Sequence, residues 1–245
     1  MRIIGLCCVK NEAEFMGEVL ESHLRLCDSV LVLDDRSDDG TWEILQQFRA
    51  RMPERVHLWR NPANLPRNEA RDRNFLFDRV HVLGLTTQDW CWWFDGDETV
   101  YQGNREDVRG LPEEVNTVFT SLPTTWIDET QYCPVMSVEK RHLFRYIPKV
   151  CDGYHWQGRG KHGLHCGACP RTDEYQAEPH TAYSPGIVEL HWGWCTIERV
   201  REKVARYRKQ DPGFASFKPY RKYDRIAREG QPWDVTPIGE FRGRE

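Results

Sequence analysis

The sequence predicts an α/β fold with a mostly parallel sheet, and three observations support this prediction. Short apolar segments alternate with longer segments of helical pattern throughout residues 1–102, which is typical of parallel strands joined by helices. The apolar segments end in clusters of polar and acidic residues, such as Asp34-Asp35 and Asp95-Gly96-Asp97. From about residue 103 the alternation stops, so we expect an irregular second half followed by a C-terminal helix.

The first half is predicted to contain strands made of short apolar runs and helices with one apolar face. The first helix is predicted to start at Asn11, because Asn11 and Glu14, three residues later, have the spacing of a capping box. In chain order, the prediction is a strand at 3–9, a helix from about 11 to 25, a strand at 29–33, a helix at 42–51, a strand at 56–59, a helix at 67–80 and a strand at 90–94.

The second half is predicted to contain shorter strands and a long loop. The loop, at about 153–185, is rich in Gly, His and Cys and is long enough to be functional or to be held by a metal. In chain order, strands are predicted at 115–120, 124–127, 142–147 and 187–191, followed by a helix at about 197–209 and an irregular, basic remainder.

Composition restricts the class of protein. With 39% hydrophobic residues and ten tryptophans among 245 residues, the chain can bury a sizeable core. A net charge of −4 argues against a protein that binds polyanions over its whole surface. No apolar run approaches the roughly 18 residues of a membrane helix, and the start of the chain lacks the layout of a signal peptide. We therefore expect a cytoplasmic protein without a membrane span.

The segment 92–98, WWFDGDE, is the most informative in the chain. Its aromatic residues favour burial, whereas Asp95, Asp97 and Glu98 repel one another unless a cation lies among them. A buried strand that ends at a metal site satisfies both requirements. Carboxylates at this spacing suit Mg²⁺ or Mn²⁺, which bind a few carboxylate oxygens and complete their shell with water and a substrate diphosphate. The alternative is a solvated acidic turn.

Four segments together resemble the family 2-type glycosyltransferases. They are CCVKNEAEF at 7–15, VLVLDDRSDDGT at 30–41, RDRNFLF at 71–77 leading into WCWWFDGDE at 90–98, and IVELHWGWCTIERVREKVARY at 187–207. The resemblance covers about residues 1–210. It implies a GT-A-like, Rossmann-type sheet that binds a nucleotide-sugar with residues 1–102, an acceptor half at 103–210 and a basic C-terminal extension at 211–245.

The resemblance also implies a role for each matching position. Asp35, with Asp34 beside it, would hold the uracil or ribose of a UDP-sugar. Arg73 would meet the diphosphate, and Asn11 and Glu12 follow the first strand at the same edge. Mn²⁺ or Mg²⁺ would be bound directly by Asp97 and His191. Asp95 would belong to the same metal site and lie near the ribose or a bound water. The implied reaction transfers the sugar to an acceptor hydroxyl with inversion.

Some of these residues also have ordinary structural interpretations. Arg73 lies among acids on its helix and could belong to a salt-bridged surface, and His191 could be a core histidine after an apolar strand.

The sequence leaves the catalytic base open, because no clear counterpart of the family's Glu-Asp pair is present. The segment WQGRGKHG at 156–163 resembles one that often reads Gly-x-x-His-Glu, but Gly163 follows His162 here. His162 itself is therefore one candidate base. The carboxylates considered with it are Glu189, Glu129, Glu139 and Asp128.

Nine cysteines are present, and disulfides are not expected in a chain without a secretory signal. Cys166 and Cys169 form a C-x-x-C pair that follows His162 and His165. The pair indicates either a structural Zn²⁺ site, with help from Cys151 or His155, or reduced cysteines in a loop.

The segment 199–228 contains eleven Lys and Arg against three acids, with aromatic residues among them. This pattern suits binding to the phosphates and bases of a nucleic acid, so a modified base is an alternative acceptor. The other interpretation is a cationic helix whose aromatic residues pack against the domain. Two further alternatives are a GT-A-like nucleotidyltransferase and a non-enzymatic, zinc-stapled module that binds nucleic acid.

Overall fold

Parallel strands joined by helices form the first half of the computed structural model, which describes residues 1–158, 166–177, 179–210, 218–232 and 234–241. This arrangement confirms the predicted α/β fold. The strands are β1 (Ile3–Val9), β2 (Ser29–Asp34), β3 (Val56–Arg60) and β4 (Trp90–Trp93), and the helices are α1 (Met16–Leu24), α2 (Thr41–Arg51) and α3 (Glu69–His81). All predicted elements of this half are present, with shifts at their ends.

The rest of the chain, from Glu98 on, forms β5 (Glu98–Gln102), α4 (Arg105–Arg109), β6 (Thr117–Leu122), β7 (Thr125–Trp126), β8 (Asp128–Tyr132), a 3₁₀ turn (Pro134–Met136), β9 (Val138–Arg145), α5 (Pro148–Cys151), α6 (Asp173–Gln176), β10 (Thr181–His191), α7 (Ile197–Gln210), α8 (Lys218–Glu229), β11 (Thr236–Pro237) and a 3₁₀ turn (Ile238–Glu240). Four of these strands join the same sheet, which has the order β3-β2-β1-β4-β9-β6-β10-β5, and the other three form a small second sheet, β11-β8-β7.

The strand directions bring residues from both halves to one edge of the large sheet. β1, β2 and β4 are parallel, so their carboxyl ends lie at this edge. β9 is antiparallel to both β4 and β6, and β10 is parallel to β6. The carboxyl end of β10, at His191, therefore lies at the same edge, as do the first residues of β9 and β5, which run in the opposite direction. Ligands bind at such edges in open α/β sheets.

Both faces of the sheet are covered, which explains the run of large aromatic residues in β4. Trp90, Trp92 and Phe94 point into a core shared with α1 and α2. Cys91 and Trp93 point into a second core shared with α3. Because successive side chains of a strand alternate between faces, a strand buried on both sides needs an uninterrupted apolar sequence.

The first helix begins later than its capping-box pattern predicted, at Met16 rather than near Asn11. Asn11 instead has a left-handed backbone with φ 56°. Its side chain donates to Asp38 Oδ1 at 2.7 Å and accepts from the Asp38 backbone N–H at 3.1 Å. Glu14, the other residue of the expected capping box, accepts a hydrogen bond at its Oε2 from Arg199 Nη1 at 2.8 Å. Tertiary partners have therefore replaced the local cap.

The prediction of an irregular C-terminal segment is wrong in part, because this segment contains α8. Tyr223, Ile226 and Ala227 lie at helical spacing and pack with Trp194 and Val204 in a third apolar cluster. The ring centroids of Trp194 and Tyr223 are 4.1 Å apart and nearly parallel. Burial of this stripe stabilises a helix whose other face is strongly charged.

None of the helices in the described ranges combines the length and the apolar composition that crossing a membrane requires.

Close strand packing at Gly5 provides a test of this core. A Cβ atom at Gly5 would lie 2.7 Å from Val30 Cγ1 and 2.9 Å from Phe94 Cε1. Gly5→Ala should therefore lower the free energy of unfolding by about 1–3 kcal/mol through overpacking. Urea denaturation measures the change.

Gly17→Ala is the matched control, because a Cβ at this position in α1 meets no atom within 4 Å. It should leave stability unchanged or raise it by about 0.5–1 kcal/mol. Equal effects of the two substitutions would contradict the packing at Gly5.

Candidate active site

A cleft of about 630 Å³ lies at the edge where the strand ends meet. Its walls come from the ends of β1, β2 and β4, from the start of β9, and from α3, α7 and α8. Of the residues predicted for the site, those that line the cleft are Glu12, Asp35, Arg73, Asp95, Asp97 and His191.

The two aspartates at the carboxyl end of β2, Asp34 and Asp35, have different surroundings. Asp34 is fully buried. It accepts from the Ser37 backbone N–H at 3.1 and 3.2 Å and pairs with Arg60 at 3.0 Å, so it supports the turn. Asp35 lines the cleft, and its Oδ1 accepts from Asn61 Nδ2 at 3.0 Å and from Arg36 Nε at 2.9 Å. Its buried Oδ2 has no hydrogen-bond partner within the described ranges, and it can accept from a ligand.

Arg73 places a positive charge in the wall of the cleft. Its guanidinium lies 4.7 Å from the centre of the Trp93 ring, donates from Nε to Glu69 at 3.1 Å and comes within 3.9 Å of Asp95. Among the described residues, nothing accepts from its buried Nη1. A planar guanidinium with a donor to spare suits the oxygens of a phosphate group.

Gly96 allows the acidic turn to pack against the first strand. A Cβ at this position would lie 2.6 Å from Val9 Cγ2 and 3.2 Å from Glu12 Cγ. Only glycine tolerates this close approach, which explains why a single glycine separates Asp95 from Asp97. The turn consequently places both carboxylates in the wall of the cleft.

Asp97, His191 and Lys203 converge beside Gly193. Asp97 Oδ2 lies 2.5 Å from Lys203 Nζ and 3.9 Å from His191 Nε2. A Cβ at Gly193 would collide with these same three atoms. These three side chains therefore occupy the space that a side chain at position 193 would need, so the position requires glycine.

The protonation states of Asp97 and His191 suit the binding of a divalent cation. Although burial opposes it, Lys203, followed by His191, lowers the pKa of Asp97 to about 2. Burial lowers the pKa of His191 to about 4, against the effect of Asp97. Near neutral pH the site thus offers an ionised carboxylate and a neutral imidazole. Asp97, His191 and Glu98 each offer a ligand atom, and these atoms all lie within 4.8 Å of one another, so the residues fit Mn²⁺ or Mg²⁺.

Lys140 neutralises the other two carboxylates of the turn. Its Nζ donates to Asp95 Oδ2 at 2.7 Å and also to Glu98 Oε1. Burial raises the pKa of Glu98 to about 7 against the effect of Lys140. Asp95 and Asp97 are each paired with a lysine, but Asp97, and not Asp95, shares a group of possible ligand atoms with His191. The candidate cation ligands are therefore Asp97 and His191.

Glu189, a candidate catalytic residue from the sequence, lies beneath the cleft and not in its wall. It is fully buried and accepts from Thr120 Oγ1 at 2.9 Å. His142 Nε2 lies 2.6 Å from its Oε2, and His23 Nε2 lies 3.3 Å from its Oε1. These partners hold the pKa of Glu189 below its ordinary value despite burial. An acceptor in the cleft has no direct route to this carboxylate.

The remaining candidates lie in different places. Asn11 is exposed and bound to Asp38, outside the cleft wall. Glu12 lines the cleft and pairs with Arg199 at 2.6 Å. His162 lies outside the described residues. Cys166 and Cys169 line the cleft, but within the described ranges neither joins a group of three metal-ligand side chains.

Comparison with known proteins identifies the domain. Residues 6–108 match the model of glycosyl transferase family 2. A mannosyltransferase of Pyrobaculum calidifontis, solved with GDP-Man and Mn²⁺, superposes with a TM-score of 0.52 at 15% identity, over 92% of this chain and 69% of that one. Staphylococcus aureus TarS gives 0.53 at 11% identity, over 84% and 39%. Residues 6–108 are thus similar to family 2 glycosyltransferases, and the fold is of the GT-A type.

The whole chain is also similar to curated proteins of mycobacteria. Uncharacterized proteins of Mycobacterium tuberculosis and Mycobacterium bovis are each 25% identical over 261 aligned residues. The alignments include all of this chain but only 59% of each relative. The chain thus spans somewhat more than half the length of these proteins.

Sequence reasoning missed two lysines that line the cleft, Lys140 and Lys203, which both lie outside residues 6–108. One signal was present for Lys203. It follows Val200 and precedes Val204 and Tyr207 at helical spacing, so it occupies the apolar face of α7. A charge at such a position needs a buried partner.

The lowered pKa of His191 predicts how stability depends on pH. Between its unfolded pKa of 6.5 and its folded pKa of about 4, the unfolded chain binds a proton that the folded chain does not. Stability is therefore fully present above pH 6.5 and falls as the pH drops through this window. In chelator, wild type should lose about 2 kcal/mol more than His191→Asn between pH 6.5 and 5.

Urea denaturation at several pH values checks this difference. His57→Asn, which changes a histidine outside the cleft, is the control for the substitution itself. Parallel stability curves for wild type and His191→Asn would show that His191 titrates normally.

Proposed function

We propose that this chain transfers a sugar from a nucleotide-sugar to an acceptor hydroxyl with the help of a divalent cation. The observation that carries the proposal is the convergence of the Asp97 carboxylate and the neutral His191 imidazole in the cleft wall. The family 2 match and the GT-A fold support this chemistry. The proposal extends to the whole protein, of which the matched residues are one part.

The donor would be held by atoms that lack partners in the described structure. Asp35 Oδ2 would accept from a base or ribose group, and Arg73 Nη1 would donate to a diphosphate oxygen. Each such charge-assisted bond is worth about 1.5–3 kcal/mol. The sequence resemblance favours UDP as the nucleotide, whereas the similar mannosyltransferase was solved with GDP-Man. Both nucleotides belong in the test.

Asp97 and His191 would hold the cation. When bound, such an ion supplies positive charge to the leaving diphosphate. Arg73 and the cleft lysines add further positive charge near the same position, and the low polarity of the surrounding core strengthens their effect. Asp35 and Arg73 orient the donor so that its anomeric carbon faces the acceptor side.

We propose Glu139 as the base that receives the proton of the acceptor hydroxyl. It lies at the start of β9 and lines the cleft, unlike Asp128, Glu129 and Glu189. The acceptor oxygen would form a bond to the anomeric carbon as the bond to the diphosphate breaks, with inversion. His162, which lies outside the described residues, is the competing candidate.

The basic C-terminal segment offers little support for a nucleic-acid acceptor. Several of its cations have acidic partners within the protein: Arg208 and Arg228 both pair with Asp224, and Arg225 pairs with Glu229. Tyr223 packs against Trp194. These contacts favour a helix that packs against the domain.

A nucleotide-sugar hydrolysis screen, with Mn²⁺ and with EDTA, tests the activity. Turnover of at least one UDP- or GDP-sugar is expected with Mn²⁺ and is expected to disappear with EDTA. Asp97→Asn should lower the rate by about 100-fold or more, since the cation contributes several kcal/mol to the transition state. Asp78→Asn, an exposed change on α3, is the control. Full activity of Asp97→Asn would exclude this role.

Calorimetry tests the donor site. Asp35→Asn should weaken binding of the preferred nucleoside diphosphate by about 1.5–3 kcal/mol, because a charged acceptor is lost. Asp38→Asn changes an exposed aspartate of the same turn that does not line the cleft, and it should bind as wild type does. Equal affinities for all three proteins would reduce Asp35 to a structural role.

A further inference from the structure

The ammonium group of Lys203 lies beside Asp97, where a divalent cation bound to this carboxylate would lie. The Nζ atom lies 2.5 Å from Asp97 Oδ2, the oxygen nearest His191. Lys203 is 9% exposed and lines the cleft from α7. The carboxylate that would hold the cation is therefore already paired with a buried internal cation.

A cation that arrives alone faces an unfavourable exchange. To bind Asp97 it must either approach a buried ammonium or displace it, and a displaced buried ammonium without a partner is costly. Glu12 does not provide a ready alternative, because Arg199 already occupies its Oε2 at 2.6 Å. The Trp194 ring, with its centre 5.4 Å from Lys203 Nζ, keeps the lysine side chain beside the cleft.

A nucleoside diphosphate changes this balance. Its oxygens carry negative charge into the cleft, so an ammonium that leaves Asp97 finds a new anionic partner nearby. The cation and the diphosphate then share the charges of Asp97 and Lys203 without leaving either side chain unpaired. Lys203 therefore lowers the affinity of the site for the cation alone, but not for the cation together with the diphosphate.

We propose that Lys203 couples the binding of the divalent cation to the binding of the nucleoside diphosphate. The inference rests on the proposed function, and it assigns a positioning role to a residue outside the family-matched segment. Such coupling is reciprocal: the factor by which nucleotide tightens cation binding equals the factor by which cation tightens nucleotide binding. Removal of the lysine charge must reduce both factors together.

Calorimetric titration of Mn²⁺ into the full chain, without nucleotide and with saturating UDP or GDP, tests the proposal. Without nucleotide, Lys203→Met should bind Mn²⁺ about tenfold more tightly than wild type. With nucleotide, the advantage should disappear, so the coupling factor should fall about tenfold. Lys203→Arg keeps the charge and should retain coupling. Lys209→Met, an exposed lysine of the same helix, should match wild type.

Each result decides the proposal. Equal Mn²⁺ affinities of wild type and Lys203→Met without nucleotide, while nucleotide still binds, overturn the role of Lys203 and leave the proposed function intact. Failure of wild type to bind UDP or GDP with Mn²⁺ overturns the proposed function and this inference with it. If Lys203→Met does not fold, wild type alone decides: nucleotide should tighten Mn²⁺ binding about tenfold, and equal affinities with and without nucleotide overturn the coupling.

Discussion

The ion pair between Asp97 and Lys203 is the interaction on which the geometry of the site depends. A carboxylate that is only 4% exposed needs a cation close by, and Lys203 supplies one from a helix more than a hundred residues further along the chain. The pair sets how closely α7 must approach the sheet edge. It also requires glycine at 193, because a side chain there would occupy the space in which the two charges meet.

The mixed sheet makes this meeting possible. β10 runs parallel to β6 and ends at the same edge as β1, β2 and β4, so His191 reaches a turn whose sequence lies in the first half of the chain. β9 runs in the opposite direction, and its first residues bring Lys140 to the same edge. Strands from residues 1–102 and strands from later in the chain thus share a single row of strand ends.

A buried polar network extends from the cleft into the core. Glu98 lies 3.9 Å from His142, which contacts Glu189, which in turn contacts His23. All four side chains are almost completely buried. Such a network is stabilising only when its members are mutually satisfied. Acids and histidines alternate along it, but His142 Nδ1, which faces Glu98, has no hydrogen-bond partner among the described residues. Glu98 is held instead by the Asp95 backbone N–H and by Lys140.

Local patterns in the sequence determined the alternation of strands and helices, the burial of the β4 aromatics and the position of the acidic turn, because the period of apolar residues and the chemistry of a turn depend on neighbours in the chain. Asp35 and Asp97 could be selected in this way, since each lies in the polar turn that follows an apolar strand.

The tertiary structure alone decided which charges meet. Lys140 binds Asp95 across 45 residues, and Lys203 binds Asp97 across 106. Asn11 is drawn into a turn by Asp38, 27 residues away, so that the local cap is lost. No periodicity encodes such pairs, because they depend on the order and direction of strands in the sheet. The sequence therefore determined where the acids of this site lie, and the fold determined which cations neutralise them.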